Sequence, residues 1–132
     1  RLARVSADFD NYKKRVNREK QDAIKFANEG VFKEMLPVLD NLQRALAAGE
    51  QSEGVKLTAK QFEDVLAKFG VVGFVSAGMT FDPAKHEAVG SRPDANVPAQ
   101  HVAEEYQKGY MLHDRLLRPA LVIVSSGPAA EN

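Results

Sequence analysis

The fold of this chain is decided by residues 2–16, LARVSADFDNYKKRV, and by the spacing of their apolar side chains. These side chains recur at alternating steps of three and four residues, and the rhythm extends past residue 20. Such a 3.5-residue repeat is typical of a coiled coil, in which a narrow apolar seam faces a second helix. We therefore expect a long helix that pairs with another copy of itself. The predicted interface side chains on this helix are Leu2, Val5, Phe9, Tyr12, Val16 and Phe26.

Beyond residue 30 the apolar pattern widens, which favours packing against more than one neighbour. A second helix is predicted to start after Ser52, a good capping residue, and to end before Gly70. Pro37 lacks the amide hydrogen for a helical bond, so we expect a kink or a break just before it. Two such helical hairpins from two copies predict a four-helix bundle. Its predicted interface side chains are Met35, Leu39, Leu42, Leu46, Phe62 and Leu66.

After Gly70 the pattern changes to short alternating or β-branched runs, which predict strands. The runs cover residues 71–75, 87–90, 102–110 and 121–124, and residues 110–117 predict a hairpin that turns at His113-Asp114. The predicted fold class is α+β: a long coiled-coil helix and a helical hairpin, followed by a small antiparallel β-domain. We expect residues 1–69 to dimerise, residues 70–127 to form the β-domain, and residues 128–132 to be a frayed end.

Composition excludes several classes of function. Lys plus Arg total 18 and Asp plus Glu total 18, so no net charge attracts the chain to nucleic acid or to an acidic membrane. The absence of cysteine excludes disulfides, thiolate catalysis and Cys-ligated zinc. The longest apolar runs, such as residues 121–124, are too short to span a bilayer. No signal peptide is visible, but the seam is already in mid-heptad at Arg1, so we expect the natural chain to begin upstream.

A search for catalytic motifs finds no positive support for an enzyme. The chain has no phosphate-binding loop, dinucleotide fingerprint, nucleophile elbow or zinc-protease helix. His86 with Glu87 invites a zinc hypothesis, and Asp82 with Glu87 invites a catalytic pair. A turn organised by Asp82 and Pro83, beside a surface glutamate, is the favoured interpretation. We expect no enzyme activity, no cofactor and no metal site.

The basic run KKRVNREK at residues 13–20 raises the alternative of a helix that grips nucleic acid. In zipper proteins the basic region lies outside the heptads, whereas here Tyr12 and Val16 carry the seam through the run. The favoured interpretation is the solvated flank of a coiled coil. Recognition of an acidic protein surface and of nucleic acid are the two alternatives.

Five motifs in the same order resemble signatures of the GrpE family, the nucleotide exchange factors of the DnaK chaperone. The helical ones are ADFDNYKKR at 7–15 and LPVLDNL at 36–42 with RAL at 44–46. The others are KFGV at 68–71, FDP at 81–83 with HEAV at 86–89, and QKGY at 107–110. Arg115, LRPA at 117–120, Val122 and Val124 follow the last of these. The resemblance covers nearly the whole chain.

The resemblance implies a homodimer with a long paired helix, a four-helix bundle and two β-domains spread like wings. It implies that one wing holds open the cleft of the nucleotide-binding domain of a DnaK-type chaperone, so that ADP leaves. No catalysis, cofactor, direct nucleotide binding, nucleic acid or membrane is implied. The expected location is the bacterial cytoplasm, with an organelle matrix as the alternative. A coiled-coil scaffold that binds another protein through its β-domain is the alternative function.

The resemblance also implies which residues contact the chaperone. On the β-domain, apolar contact would come from Phe81, Pro83 and Tyr106, and Arg115 would anchor a carboxylate through two parallel hydrogen bonds. Val124 completes this surface, although Phe81 and Val124 are also candidates for the core of the domain. The helical part would contribute Lys14 and Arg44 as polar contacts, and Gly54, where a side chain would hinder close approach.

Overall fold

The computed structural model describes residues 2–129, and it begins with three helices. They are α1 (Leu2–Phe26), α2 (Glu29–Ala47) and α3 (Glu53–Lys68). A turn at residues 27–28 separates α1 from α2. Of the kink or break predicted before Pro37, the break is wrong, because α2 continues through that residue. Leu36 and Leu39 beside Pro37 are completely buried, so tertiary packing holds the helix across the missing hydrogen bond.

The predicted boundaries of α3 are confirmed. Ser52 precedes its first turn, although the Ser52 side chain makes no capping hydrogen bond. Gly70 follows its end with a φ of +87°, a left-handed conformation that glycine adopts without strain. A side chain at Gly70 would also collide with the His113 ring. Both the backbone conformation and the nearby His113 ring therefore favour glycine at the turn from α3 into the first strand.

Within residues 2–129 the strands form two three-stranded sheets. The strands are β1 (Val71–Phe74), β2 (His86–Arg92), β3 (Val102–Gln107), β4 (Gly109–Leu112), β5 (Arg115–Arg118) and β6 (Ala120–Ser125). One sheet, here called the inner sheet, has the order β1-β4-β5, and the other, the outer sheet, has the order β2-β6-β3. The hairpin between β4 and β5 is confirmed, with its turn at His113-Asp114 and Leu112 paired to Arg115.

Two details of the predicted sheet are corrected. Residues 102–110 are two strands in different sheets, and β2 runs parallel to β6, so the outer sheet is mixed. The chain passes between the sheets at two single residues, Lys108 and Pro119. At the first crossing Gly109 has no room for a side chain, because a Cβ there would collide with Phe74 and lie 2.7 Å from the Ala120 nitrogen. This close approach places one strand end against the other sheet.

The buried side chains form two separate clusters. The first joins the helices to the inner sheet and consists of Phe32, Leu36, Leu39, Leu66, Val71, Tyr110, Leu112 and Leu117. The second belongs to the outer sheet and consists of Val102, Ala120 and Val122, with Phe74, Phe81 and Val124 packed against it. The first cluster crosses the predicted boundary at residue 70, and the division into domains stays a prediction. Residues 130–132 of the predicted frayed end lie outside the described residues.

Candidate partner interface

The coiled-coil seam on α1 is uncovered in the single chain. None of the described residues of α1 is buried, and the seam side chains Leu2, Val5, Phe9, Tyr12 and Val16 are all exposed. Phe9, for example, is 57% exposed. An apolar stripe of this length is a surface that usually meets another protein. The seam is therefore available to a second helix from Leu2 to Val16.

Basic side chains of α1 lie over the rings of the seam. The Lys13 Nζ is 5.0 Å from the centroid of the Phe9 ring, and the Arg15 guanidinium is 5.6 Å from that of Tyr12. Both distances are typical of cation–π contacts. These two basic groups therefore border the seam, which favours the interpretation of residues 13–20 as its flank.

The helical hairpin of α2 and α3 has two apolar faces. Leu39 and Leu66, which the sequence predicts at the dimer interface, are buried in the chain's own core, and their place at that interface stays a prediction. Met35 and Phe62 are only partly buried, and with Val65 they line an open groove of about 200 Å³. Leu42 and Leu46 are also partly exposed on α2. This second face is the one that remains open to a partner.

Arg115 is held against the junction of α1 and α2. Its guanidinium carbon lies 3.7 Å from the centroid of the Phe26 ring, and its Nη1 lies 3.5 Å from Glu29 Oε2. The His113 ring meets Phe26 edge-on at 6.1 Å. The side chain of Arg115 nevertheless remains half exposed, so it can still meet a carboxylate of another molecule. Phe26, predicted in the seam, thus contacts the β4–β5 hairpin of its own chain.

The turn at residues 81–86 is organised as the sequence predicts. The Ala84 amide donates to Asp82 Oδ1 at 2.9 Å, and the Asp82 amide donates to His86 Nδ1 at 2.9 Å. Phe81 packs against the second core with its ring 5.8 Å from that of His86, whereas Pro83 is exposed. Among residues 2–129 there is no group of His, Cys, Asp or Glu that could hold a metal ion. The polar groups of this turn therefore hold its shape.

A cleft of about 590 Å³ lies between α2 and the outer sheet. Arg44 and Tyr106, which the sequence predicts as partner contacts on different elements, both line it. Tyr106 is 71% exposed, and the Arg44 Nη1 donates to Asn41 Oδ1 at 2.9 Å. Val124, in contrast, is partly buried against the second core. The structure thus brings two of the predicted contacts together at one cleft.

Lys14 and Gly54 lie on helices and are exposed. Gly54 is in the first turn of α3, where an added Cβ would meet only the Ser52 Oγ, at 3.5 Å. This is an ordinary van der Waals distance, so the packing of the chain itself does not require glycine there. A role for Gly54 at an interface stays a prediction.

Sequence reasoning missed an ion pair between Asp40 and Arg118. The two guanidinium nitrogens Nη1 and Nη2 each donate to a different carboxylate oxygen at 2.7 Å. Both residues stand inside the motifs quoted above, but they are 78 positions apart, and no local pattern links them. Tyr110 lies beside this pair, and burial, followed by the negative charge of Asp40, raises the pKa of its hydroxyl. The Tyr110 hydroxyl has no hydrogen-bond partner among the described residues.

Known proteins identify the family of this chain. The family model for GrpE matches residues 1–126. Protein GrpE of Syntrophobacter fumaroxidans (strain DSM 10017 / MPOB) is 51% identical over 132 residues, which cover 95% of this chain and 70% of that protein. Protein GrpE of Shewanella pealeana (strain ATCC 700345 / ANG-SQ1) is 45% identical, over 96% of this chain and 67% of its own length. Protein GrpE of Brevibacillus choshinensis is 41% identical, with corresponding shares of 95% and 74%.

No helix within residues 2–129 is both long and apolar enough to cross a membrane. The first helix carries an exposed apolar seam, and the strands follow the three helices along the chain, as the sequence predicts. The sequence motifs, the α+β architecture and the matches to known relatives agree with one another. The chain belongs to the GrpE family of co-chaperones.

Proposed function

We propose that this protein is a homodimeric nucleotide exchange factor. It binds the nucleotide-binding domain of a DnaK-type chaperone and holds that domain's cleft open, so that ADP is released. Membership of the GrpE family over residues 1–126 is the observation that carries the proposal. The protein itself catalyses no bond change and binds no nucleotide or cofactor, and it works in the bacterial cytoplasm.

Release of ADP by such a factor is a matter of thermodynamic linkage. A factor that opens the cleft must bind the open, empty chaperone more tightly than the closed, ADP-filled one, and ADP must weaken its binding by the same factor. Moving a cleft from about 1% to about 99% open requires roughly 5.5 kcal/mol of differential affinity. A flexible contact surface would lose part of this energy, because it could follow the chaperone into the closed state.

The structure supports a rigid presentation of that surface. The inner sheet shares a continuous core with α2 and α3, built around Leu36, Leu39 and Tyr110. The inner sheet is joined to the outer sheet by single-residue crossings. We assign dimerisation to residues 1–69 and contact with the chaperone mainly to residues 70–127.

The dimer would form through the seam of α1 and the open face of the hairpin. On α1 the seam side chains are exposed, and on the hairpin Met35, Leu42, Leu46 and Phe62 keep accessible surface. A second copy that covers both faces would complete a paired stem and a four-helix bundle. Leu39 and Leu66 would lie in the core behind this interface and hold its exposed side chains in place.

The proposed contact surface combines exposed groups of the β-domain with groups on the helices. Pro83, Tyr106 and Arg115 are exposed enough to meet a partner directly, whereas Phe81 and Val124 would shape the surface from the second core. Arg44 shares the cleft with Tyr106. Lys14 and Gly54 would extend the contact along the helices.

The experiment that tests this function is release of labelled ADP from a DnaK-type chaperone with and without the protein. We expect a large acceleration, and a marked loss of it in Arg115→Ala. Arg92→Ala is a matched control, because Arg92 is half exposed but paired with Glu104 at 2.7 Å on the outer sheet. Glu29→Gln weakens the internal contact of Arg115 while leaving its guanidinium free for the chaperone, so it should keep the acceleration.

An unchanged release rate would refute the exchange function and favour a coiled-coil scaffold that binds another protein. Equal rates for Arg115→Ala and Arg92→Ala would refute the assignment of Arg115 alone. Retention of duplex DNA in a gel shift, with a steep dependence on salt, would favour the nucleic-acid alternative, because phosphate contacts release counterions.

A further inference from the structure

All three guanidinium nitrogens of Arg118 donate hydrogen bonds, two of them to Asp40. Two nitrogens bind the Asp40 carboxylate at 2.7 Å, and the Arg118 Nε donates to the carbonyl oxygen of Lys108 at 2.9 Å. The side chains of Arg118 and Asp40 are only 12% and 18% exposed. The guanidinium also lies 5.3 Å from the centroid of the Tyr110 ring. This is a bidentate, largely buried pair with defined geometry rather than an exposed surface salt bridge.

The pair lies where the two sheets are joined. Lys108, whose carbonyl accepts from Arg118, is the residue at which the chain passes from β3 to β4. Arg118 itself is the last residue of β5 and is followed by Pro119, where the chain passes back to β6. Through one guanidinium, Asp40 on α2 is therefore connected to the two single-residue crossings, while residues 75–85 make a third and longer connection between the sheets.

The outer sheet shares no buried core with the helices themselves. Its core of Val102, Ala120 and Val122 shares no buried residue with the cluster that joins the helices to the inner sheet. The cleft of about 590 Å³ separates α2 from β3. Phe74 of the inner sheet packs against the outer core, so packing as well as the crossings joins the two sheets. A change of angle between them would move Pro83 and Tyr106, and the ion pair is the contact by which α2 opposes it.

A buried ion pair contributes little net stability compared with apolar side chains of the same volume, because desolvation offsets its attraction. The geometry therefore points to a different role, and we propose that Asp40 and Arg118 are positioning residues. They hold the outer sheet at one angle to the helices, so that contact with the chaperone opens its cleft instead of turning the sheet. The functional half of this inference rests on the exchange activity proposed above.

Three sets of variants test the pair. Asp40→Asn and Arg118→Met each leave a buried group without its partner, so we expect both to lower the melting temperature. The double variant Asp40→Leu/Arg118→Met removes both charges and should regain most of the lost melting temperature. Arg118→Lys keeps the charge but loses the bidentate hydrogen bonds to Asp40 and the bond to Lys108. We expect its melting temperature to lie between those of Arg118→Met and the unmodified protein. The matched control is Arg92→Met/Glu104→Leu, which removes an exposed pair within the outer sheet.

The first readout is the angle of the outer sheet. The chain has no cysteine, so spin labels on Lys60→Cys in α3 and Glu87→Cys in β2 can be introduced specifically, with unlabelled chain added to suppress distances between copies. We expect a narrow distance distribution in the unmodified protein and in the control pair, and a clearly broader one in Asp40→Leu/Arg118→Met. An unchanged distribution in that double variant would overturn the positioning role, whatever the protein's activity.

The second readout is ADP release, measured as a maximum rate and a half-saturating concentration. We expect the double variant to lower the maximum rate about tenfold or more, while the half-saturating concentration changes less than about threefold. A tenfold lower rate corresponds to about 1.4 kcal/mol less energy available to open the chaperone's cleft. If the folded double variant accelerated ADP release as fast as the unmodified protein, the pair would be merely structural and the inference would be overturned. If the unmodified protein did not accelerate ADP release from the chaperone, the exchange function would be refuted. A broader distance distribution in the double variant would still support the positioning role of the pair.

Discussion

Replacement of Phe9 by alanine tests the seam on α1 at its most accessible aromatic ring. Phe9 is 57% exposed, and an aromatic side chain of about 200 Å² would then have about 110 Å² left to bury against a second helix. At about 25 cal/mol per Å² this area is worth about 3 kcal/mol, and slightly less after subtraction of the alanine methyl group. Two rings are lost in each dimer, so about 5 kcal/mol, or a factor of between about 10³ and 10⁴ in the dissociation constant, should disappear.

Sedimentation equilibrium over a range of loading concentrations measures this constant. Alanine is the strongest helix former, so the substitution does not weaken the single helix. Asn11→Ala is the matched control, because Asn11 is exposed on the same helix but lies off the seam. We expect Asn11→Ala to stay dimeric at concentrations where Phe9→Ala has shifted toward 14.5 kDa. Equal dissociation constants for the two variants would refute the pairing of α1 through its seam.

Three further predictions concern the β-domain and the start of α2. Because burial raises the pKa of the Tyr110 hydroxyl, the folded state keeps a proton that the unfolded chain loses above about pH 10, and stability must fall as the pH rises further. Urea unfolding of Tyr110→Phe at about pH 8 and pH 11 should show a smaller alkaline loss, and an equal loss would contradict this cause. Gly109→Ala forces a methyl group against Phe74 and the Ala120 backbone, so it should lower the free energy of unfolding by about 1–3 kcal/mol. Gly30→Ala in α2 meets no atom within 4 Å and should raise the free energy of unfolding by up to about 1 kcal/mol, and the opposite order of the two glycine variants would contradict the packing described here.

Features that depend on neighbours in sequence could be predicted. The helices, the glycine at the end of α3 and the turn at His113-Asp114 all follow from local periodicity or from one residue's conformational preference. Pro37 is the exception among them, because burial of Leu36 and Leu39 outweighs the hydrogen bond that the proline removes. A local rule thus fails where tertiary packing opposes it.

Features that depend on distant residues could not be predicted. The crossing at Lys108 is a single residue without a turn motif, and the parallel pairing of β2 with β6 joins separate segments. The candidate surface shows the same limit. The contact of Arg115 with Phe26 and the pair of Asp40 with Arg118 exist only after the sheets have packed on the helices.

The most direct test of the exchange function is the affinity of this protein for the chaperone's nucleotide-binding domain in two states, empty and filled with ADP. We expect much tighter binding to the empty domain, by the same factor by which the protein weakens the domain's affinity for ADP. Equal affinity for the two states would contradict the proposal, because a factor that binds both equally cannot shift the cleft toward its open form.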